Sequence, residues 1–96
     1  MTIHNIALYH TTSKIFETAL SSIPKEIDIQ VNLSFDIADK IAQILKNKNL
    51  SQRDFAKKIH RSEAEVSRWL SGTHNFTLST LAKISNVLGE KIIGVE

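Results

Sequence analysis

Apolar residues recur along this chain with two different periods. From Phe35 to Leu88 they fall three and four positions apart, the spacing that puts side chains on one face of an α-helix. Ile37, Ala38, Ile41, Ala42, Ile44 and Leu45 form the first such stripe, with Ser34 as its N-cap and Lys46, Asn47, Lys48 and Asn49 closing it. Ser51 opens a second helix: Asp54 completes a capping box, and Leu50 and Phe55 flank it as a hydrophobic staple. Ser62 with Glu65 repeats the box signature ahead of Val66, and Thr77 opens a fourth helix. Its stripe is Leu78, Leu81, Ala82, Ile84, Ser85 and Leu88. Phe76 can staple onto Leu81, and Gly89 is suited to the left-handed C′ position.

The first third follows other rules. Ile27, Ile29, Val31 and Leu33 alternate with Asp28, Gln30 and Asn32, and period two predicts a half-buried strand. Lys91–Val95 carries a second β-like pattern, able to pair with the first within one chain or across a dimer. Ile15, Phe16, Ala19, Leu20 and Ile23 predict a short helix from Ser13 that stops before Pro24, and residues 1–12 an extended arm. The expected architecture is all-α: a four- to five-helix domain over residues 34–96, carrying a short C-terminal strand. An N-terminal arm over residues 1–33 adds a short helix and a β-strand.

Composition narrows the chemistry. The chain has 96 residues, no cysteine, one proline and three glycines. Thiolate metal sites, disulfides and cysteine nucleophiles are therefore excluded. His4, His10, His60 and His74 have no metal-ligand spacing, and no phosphate-cradling glycine loop or nucleophile motif occurs. No enzyme activity, metal or cofactor is expected. No apolar run is long enough for a membrane span, and no signal peptide stands at the N-terminus, which points to the cytoplasm. The net charge of +2 conceals an uneven distribution. Residues 40–61 hold seven Lys and Arg against Asp54 alone, whereas residues 1–39 hold two Lys against five acids. The positive stretch covers the elements a nucleic-acid backbone would touch, although a solvated helix face also carries such charge.

Only about three residues, His60 to Ser62, separate the second and third helices. So tight a turn forces a steep crossing. It requires a small residue at the crossing, met by Ala56, and apolar pins, met by Phe55, Ile59, Val66 and Trp69. It also asks for positive φ where the second helix ends, at His60, a residue type that tolerates the left-handed region.

The run LSQRDFAKKIHRSEAEVSRWLSG, residues 50–72, resembles the helix-turn-helix of the lambda repressor and Cro superfamily, the Xre family. The residues that carry the likeness are Gln52, Ala56, Ser62, Val66, Ser67-Arg68-Trp69 and Gly72, and it extends from about Phe35 to Gly89. The segment WLSGTHNFTLSTLAKI is similar to small antitoxin-like regulators of the HigA type. His60 and Arg61 depart from the glycine and valine common in the family's turn. The resemblance implies a bacterial, cytoplasmic transcriptional regulator, a repressor that binds an operator in double-stranded DNA as a homodimer. In the antitoxin variant, a toxin protein is a further partner and its neutralisation the alternative main task.

In that reading the third helix enters the major groove, where each base pair displays a distinct donor and acceptor pattern. Glu63, Ala64, Glu65, Ser67 and Arg68 are the base-facing candidates. Arg68 suits guanine, Glu63 or Glu65 a cytosine amine, and Ala64 a thymine methyl. Glu65 has the rival role of closing the capping box, and Glu63 that of balancing the helix dipole. Gln52 resembles the family's phosphate-clamping glutamine. Arg53, Arg61, Ser62, Ser71, Thr73, His74 and Asn75 are the other phosphate candidates, and Lys40, Lys46, Lys48, Lys57 and Lys58 are either phosphate contacts or solvated charges. Trp69 belongs to the core. The dimer seam is expected at Ile92, Ile93 and Val95 after the fourth helix, or in the apolar residues of the arm.

Overall fold

The structure, a computed structural model, describes residues 22–94. Among them are four helices and no strand: α1 (Lys25–Asn47), α2 (Gln52–Ile59), α3 (Glu63–Leu70) and α4 (Leu78–Leu88). The predicted arm at residues 1–12 and Val95 lie outside the described residues, as does the helix predicted from Ser13 to just before Pro24 except for Ser22 and Ile23, which form a turn and a bend and not a helix.

Residues 27–33 correct the sequence reading. They are the N-terminal half of α1, which runs unbroken for 23 residues. No strand in the described residues is available to pair with them, and no glycine or proline interrupts the chain between Lys25 and Asn47. Extending an existing helix adds one hydrogen bond per residue without a new nucleation step. Pro24, with φ −56°, leads into the helix; Ile27 and Asp28 donate their backbone N–H groups to its carbonyl at 3.0 and 3.2 Å. Glu26 and Asp28 in the first turn complement the helix dipole. Ser34 is consequently no cap but a buried residue inside the helix. At the other end, Lys91–Gly94 form no strand either, and Ile92 is buried with the helices.

The core lies where the C-terminal half of α1 meets the other three helices. Ile37, Ile41, Ile44 and Leu45 pack with Phe55, Ala56 and Ile59 of α2, Val66 and Trp69 of α3, and Leu81, Ile84 and Leu88 of α4. Trp69 and Phe55 sit at its centre, ring centroids 6.1 Å apart and tilted by 60°. Leu50 and Phe76 pack against the cluster as partly buried staples. Leu78 and Ala82 were expected inside and are exposed, Leu78 at 82%. Leu81, Ile84 and Leu88 alone supply the buried stripe of α4.

Local signals set the helix ends. Ser51 and Asp54 form the full reciprocal capping box: the Asp54 N–H donates to Ser51 Oγ (3.0 Å) and the Ser51 N–H to the Asp54 carboxylate (3.2 Å). Thr77 accepts from the Thr80 N–H, and Gly89 ends α4 at φ 69°. His60 ends α2 in the left-handed region, φ 58° and ψ 43°, as the tight turn demands. The Arg61 N–H then donates to the Ala56 carbonyl at 3.0 Å, which tightens the turn onto α2.

Candidate nucleic-acid interface

α3 is fastened on one side only. Val66 and Trp69 are buried, and at 100° per residue the direction opposite them belongs to Ala64, Ser67 and Arg68. All three are exposed, and the Arg68 guanidinium has no ion-pair partner among the described residues. Glu63 and Glu65 flank this face, one on each side. Glu63 is exposed in the first turn, where it compensates the helix dipole.

Glu65 is differently placed. Its backbone N–H donates to Ser62 Oγ at 3.1 Å, the cap half of the expected box. Its carboxylate turns to Arg61, whose guanidinium donates to Oε2 at 3.1 Å across a part-buried i,i+4 pair. The reciprocal half of the box, formed at Ser51, is thus replaced here by an ion pair. Arg61 and Glu65 neutralise each other at the head of α3 instead of presenting a free cation and a free anion. The sequence contained the signal, since opposite charges four apart on neighbouring turns attract. The pair straddles the helix start and so escapes a reading made helix by helix.

The phosphate candidates separate by what already holds them. Gln52 and Arg53 stand exposed at the N-terminus of α2, where backbone N–H groups and the helix dipole favour an anion. Asp54 shares that turn. Hydrogen bonding from the Ser51 side chain, then from its backbone N–H, holds the Asp54 carboxyl below its ordinary value, with Lys57 and Arg53 adding attraction. It is therefore ionised at neutral pH and limits how strongly this end attracts phosphate. Ser62 is committed to its cap. Ser71 Oγ donates to the Arg68 carbonyl at 2.6 Å and lies 3.0 Å from Thr73 Oγ1, which rigidifies the exit from α3. His74 stands edge-on to Phe76 at 4.8 Å, half-buried, while Asn75 is exposed.

The loop out of α3 depends on Gly72. It adopts φ +89°, and a Cβ there would overlap the ring of Phe35. α1 therefore touches the exit of α3 through a contact that only glycine admits. The five residues named as pins of the turn, Phe55, Ala56, Ile59, Val66 and Trp69, are all buried. They leave α2 and α3 crossing with α3's polar face outward.

This arrangement of two short helices joined by a tight left-handed turn is that of a DNA-reading module. The helix-turn-helix family matches residues 41–94, more than half of the chain, and the protein belongs to that family of repressor-like, sequence-specific DNA-binding regulators. No curated protein and no solved structure matches it. No helix among the described residues is long and apolar enough to cross a membrane.

Proposed function

We propose that the protein is a transcriptional repressor that binds a two-fold operator as a dimer, inserting α3 into the major groove of each half-site. The observation that carries this reading is the exposed face of Ala64, Ser67 and Arg68, held rigidly from behind by Val66 and Trp69. Arg68 acts as a bidentate donor to guanine, Ala64 contacts a thymine methyl, and Ser67 adapts to either strand. Gln52 and Arg53 clamp a phosphate at the start of α2, and Thr73, His74 and Asn75 brace the backbone beyond α3. Glu63 and the Arg61–Glu65 pair keep the head of α3 free of surplus positive charge, which lowers affinity for arbitrary DNA and leaves discrimination to a few contacts. Antitoxin activity is the alternative; it would draw on the apolar residues left exposed along the first half of α1.

Retardation of the protein's own upstream DNA tests the reading. Arg68→Ala is expected to lose about 1–3 kcal/mol, roughly five- to 150-fold, on the preferred sequence and little on random DNA. Gln52→Ala should weaken both alike, because phosphate contacts position without specifying. Affinity should fall steeply with added salt. Equal binding by wild type and both variants would show that the DNA face lies elsewhere.

A further inference from the structure

The two serine-headed helices of the reader are closed differently. At α2 the box is reciprocal: Asp54 donates its N–H to the Ser51 side chain, and the Ser51 N–H donates to the Asp54 carboxylate. At α3 only the first half forms. The Glu65 N–H donates to Ser62 Oγ, while the Glu65 carboxylate turns back to the Arg61 guanidinium. Yet the spacing is the same, and glutamate is the residue type that best closes such a box. The carboxylate therefore has a second partner built into its own turn, the Ser62 N–H. Arg61 is meanwhile anchored by its backbone, whose N–H donates to the Ala56 carbonyl at 3.0 Å and fixes where the side chain starts. The ion pair is the weaker tie. Its side chains keep 35% and 28% of their surface, so water screens it, and the contact uses only one amino group of the guanidinium.

We propose that Arg61 and Glu65 exchange partners when DNA binds: the guanidinium moves to a backbone phosphate, and the carboxylate closes the box on the Ser62 N–H. The inference rests on the DNA reading above, in which α3 enters the groove by its N-terminal turn. Arg61, one residue ahead of the cap, then stands at the rim of the groove, where the phosphates pass. There the duplex offers one negative charge per roughly 1.7 Å of its axis, against the single charge of Glu65. Closing the box keeps the displaced carboxylate paired, at the helix end whose dipole favours an anion. In the free protein Glu65 thus stands in for a phosphate. Arg61 is a backbone contact held in reserve, and DNA must outbid Glu65 to obtain it.

Two measurements on the full chain test the exchange, one of them without DNA. In the free protein, Arg61→Ala releases the carboxylate, and hydrogen exchange of the Ser62 amide should slow about two- to tenfold, the weight of one net hydrogen bond. Binding to a random duplex and to the protein's own upstream DNA is then titrated with salt. Arg61→Ala should flatten the dependence of log affinity on log salt by about 0.9, one phosphate. Glu65→Gln still closes the box but holds no cation, so it should tighten binding about two- to fivefold, the weight of a screened ion pair. That gain should mostly vanish in the double variant. An unchanged salt slope in Arg61→Ala means that the pair stays shut on DNA and overturns the exchange. A Glu65→Gln gain equally large without Arg61 is plain charge repulsion and overturns it too, as does a Ser62 amide indifferent to Arg61→Ala. The failures separate: a protein that retards its upstream DNA with an unchanged slope sinks only the exchange. One that retards no duplex, while its Ser62 amide responds, sinks the DNA reading and the phosphate step together.

Discussion

The two halves of α1 have similar apolar content and opposite fates. From Ile37 to Leu45 each large apolar residue finds a counterpart on α2, α3 or α4 and is buried. From Lys25 to Leu33 none does. One half is helical because packing rewards it; the other because the helix is already running and nothing stops it. The difference teaches that secondary structure and burial are set separately here. The body supplies a rigid reader whose outward face can be polar and sparse, while the overhang adds surface without adding much to the stability of one copy. Phe35 and Gly72 mark the boundary, where α1 last leans on the body.

Core truncation should break that comparison most severely. Trp69→Ala removes a side chain 1% exposed from between α2 and α3, and a loss of about 3–5 kcal/mol in denaturant unfolding is expected. For a domain this small that is a large share of its stability. Next comes the boundary: Gly72→Ala must take up positive φ and displace the Phe35 ring, at about 1–3 kcal/mol. Adding Phe35→Ala should return only part, because the backbone strain stays. Ser51→Ala removes the α2 cap for about 1 kcal/mol.

The same cap carries a pH signature. The folded pKa of Asp54 is depressed, so its contribution is complete above the unfolded carboxylate value of about 3.9 and is lost as pH falls through the lower folded value. Melting curves followed downward from pH 5 should show this loss in the wild type and a flatter profile in Ser51→Ala. Smallest of all, Ile27→Ala should change the unfolding free energy of a single copy by no more than about 0.5 kcal/mol, as for an ordinary surface position. A large effect in dilute, monomeric protein would mean that the overhang is packed after all.

Much of the body was legible in residue order. The caps at Ser51, Ser62 and Thr77, the left-handed ends at His60 and Gly89, and the buried set around Trp69 all follow from spacing and residue type. The misreadings have a common origin. Period two at Ile27–Leu33 satisfies a strand locally, but a strand needs a partner and a helix needs only its own backbone. Ser34 suits a cap by chemistry, yet capping depends on where the helix starts. Leu78 has the right spacing for the core but the wrong place in the bundle. Within the candidate site, residue types nominated the outward positions of α3, whereas Arg61's capture of the Glu65 carboxylate depends on how the turn aims one side chain at another.

By itself, then, the sequence determined the helix-turn-helix, because short-range capping and a 3.6-residue stripe are properties of neighbouring residues. It likewise determined the absence of thiol chemistry and the basic stretch over residues 40–61. Only the tertiary structure decided that α1 begins at Lys25, that its first half lies uncovered, and that Ile92 belongs to the core while Leu78 does not. Burial is a relation between distant segments. A local pattern names the residues that want cover, and the assembled fold decides which of them get it.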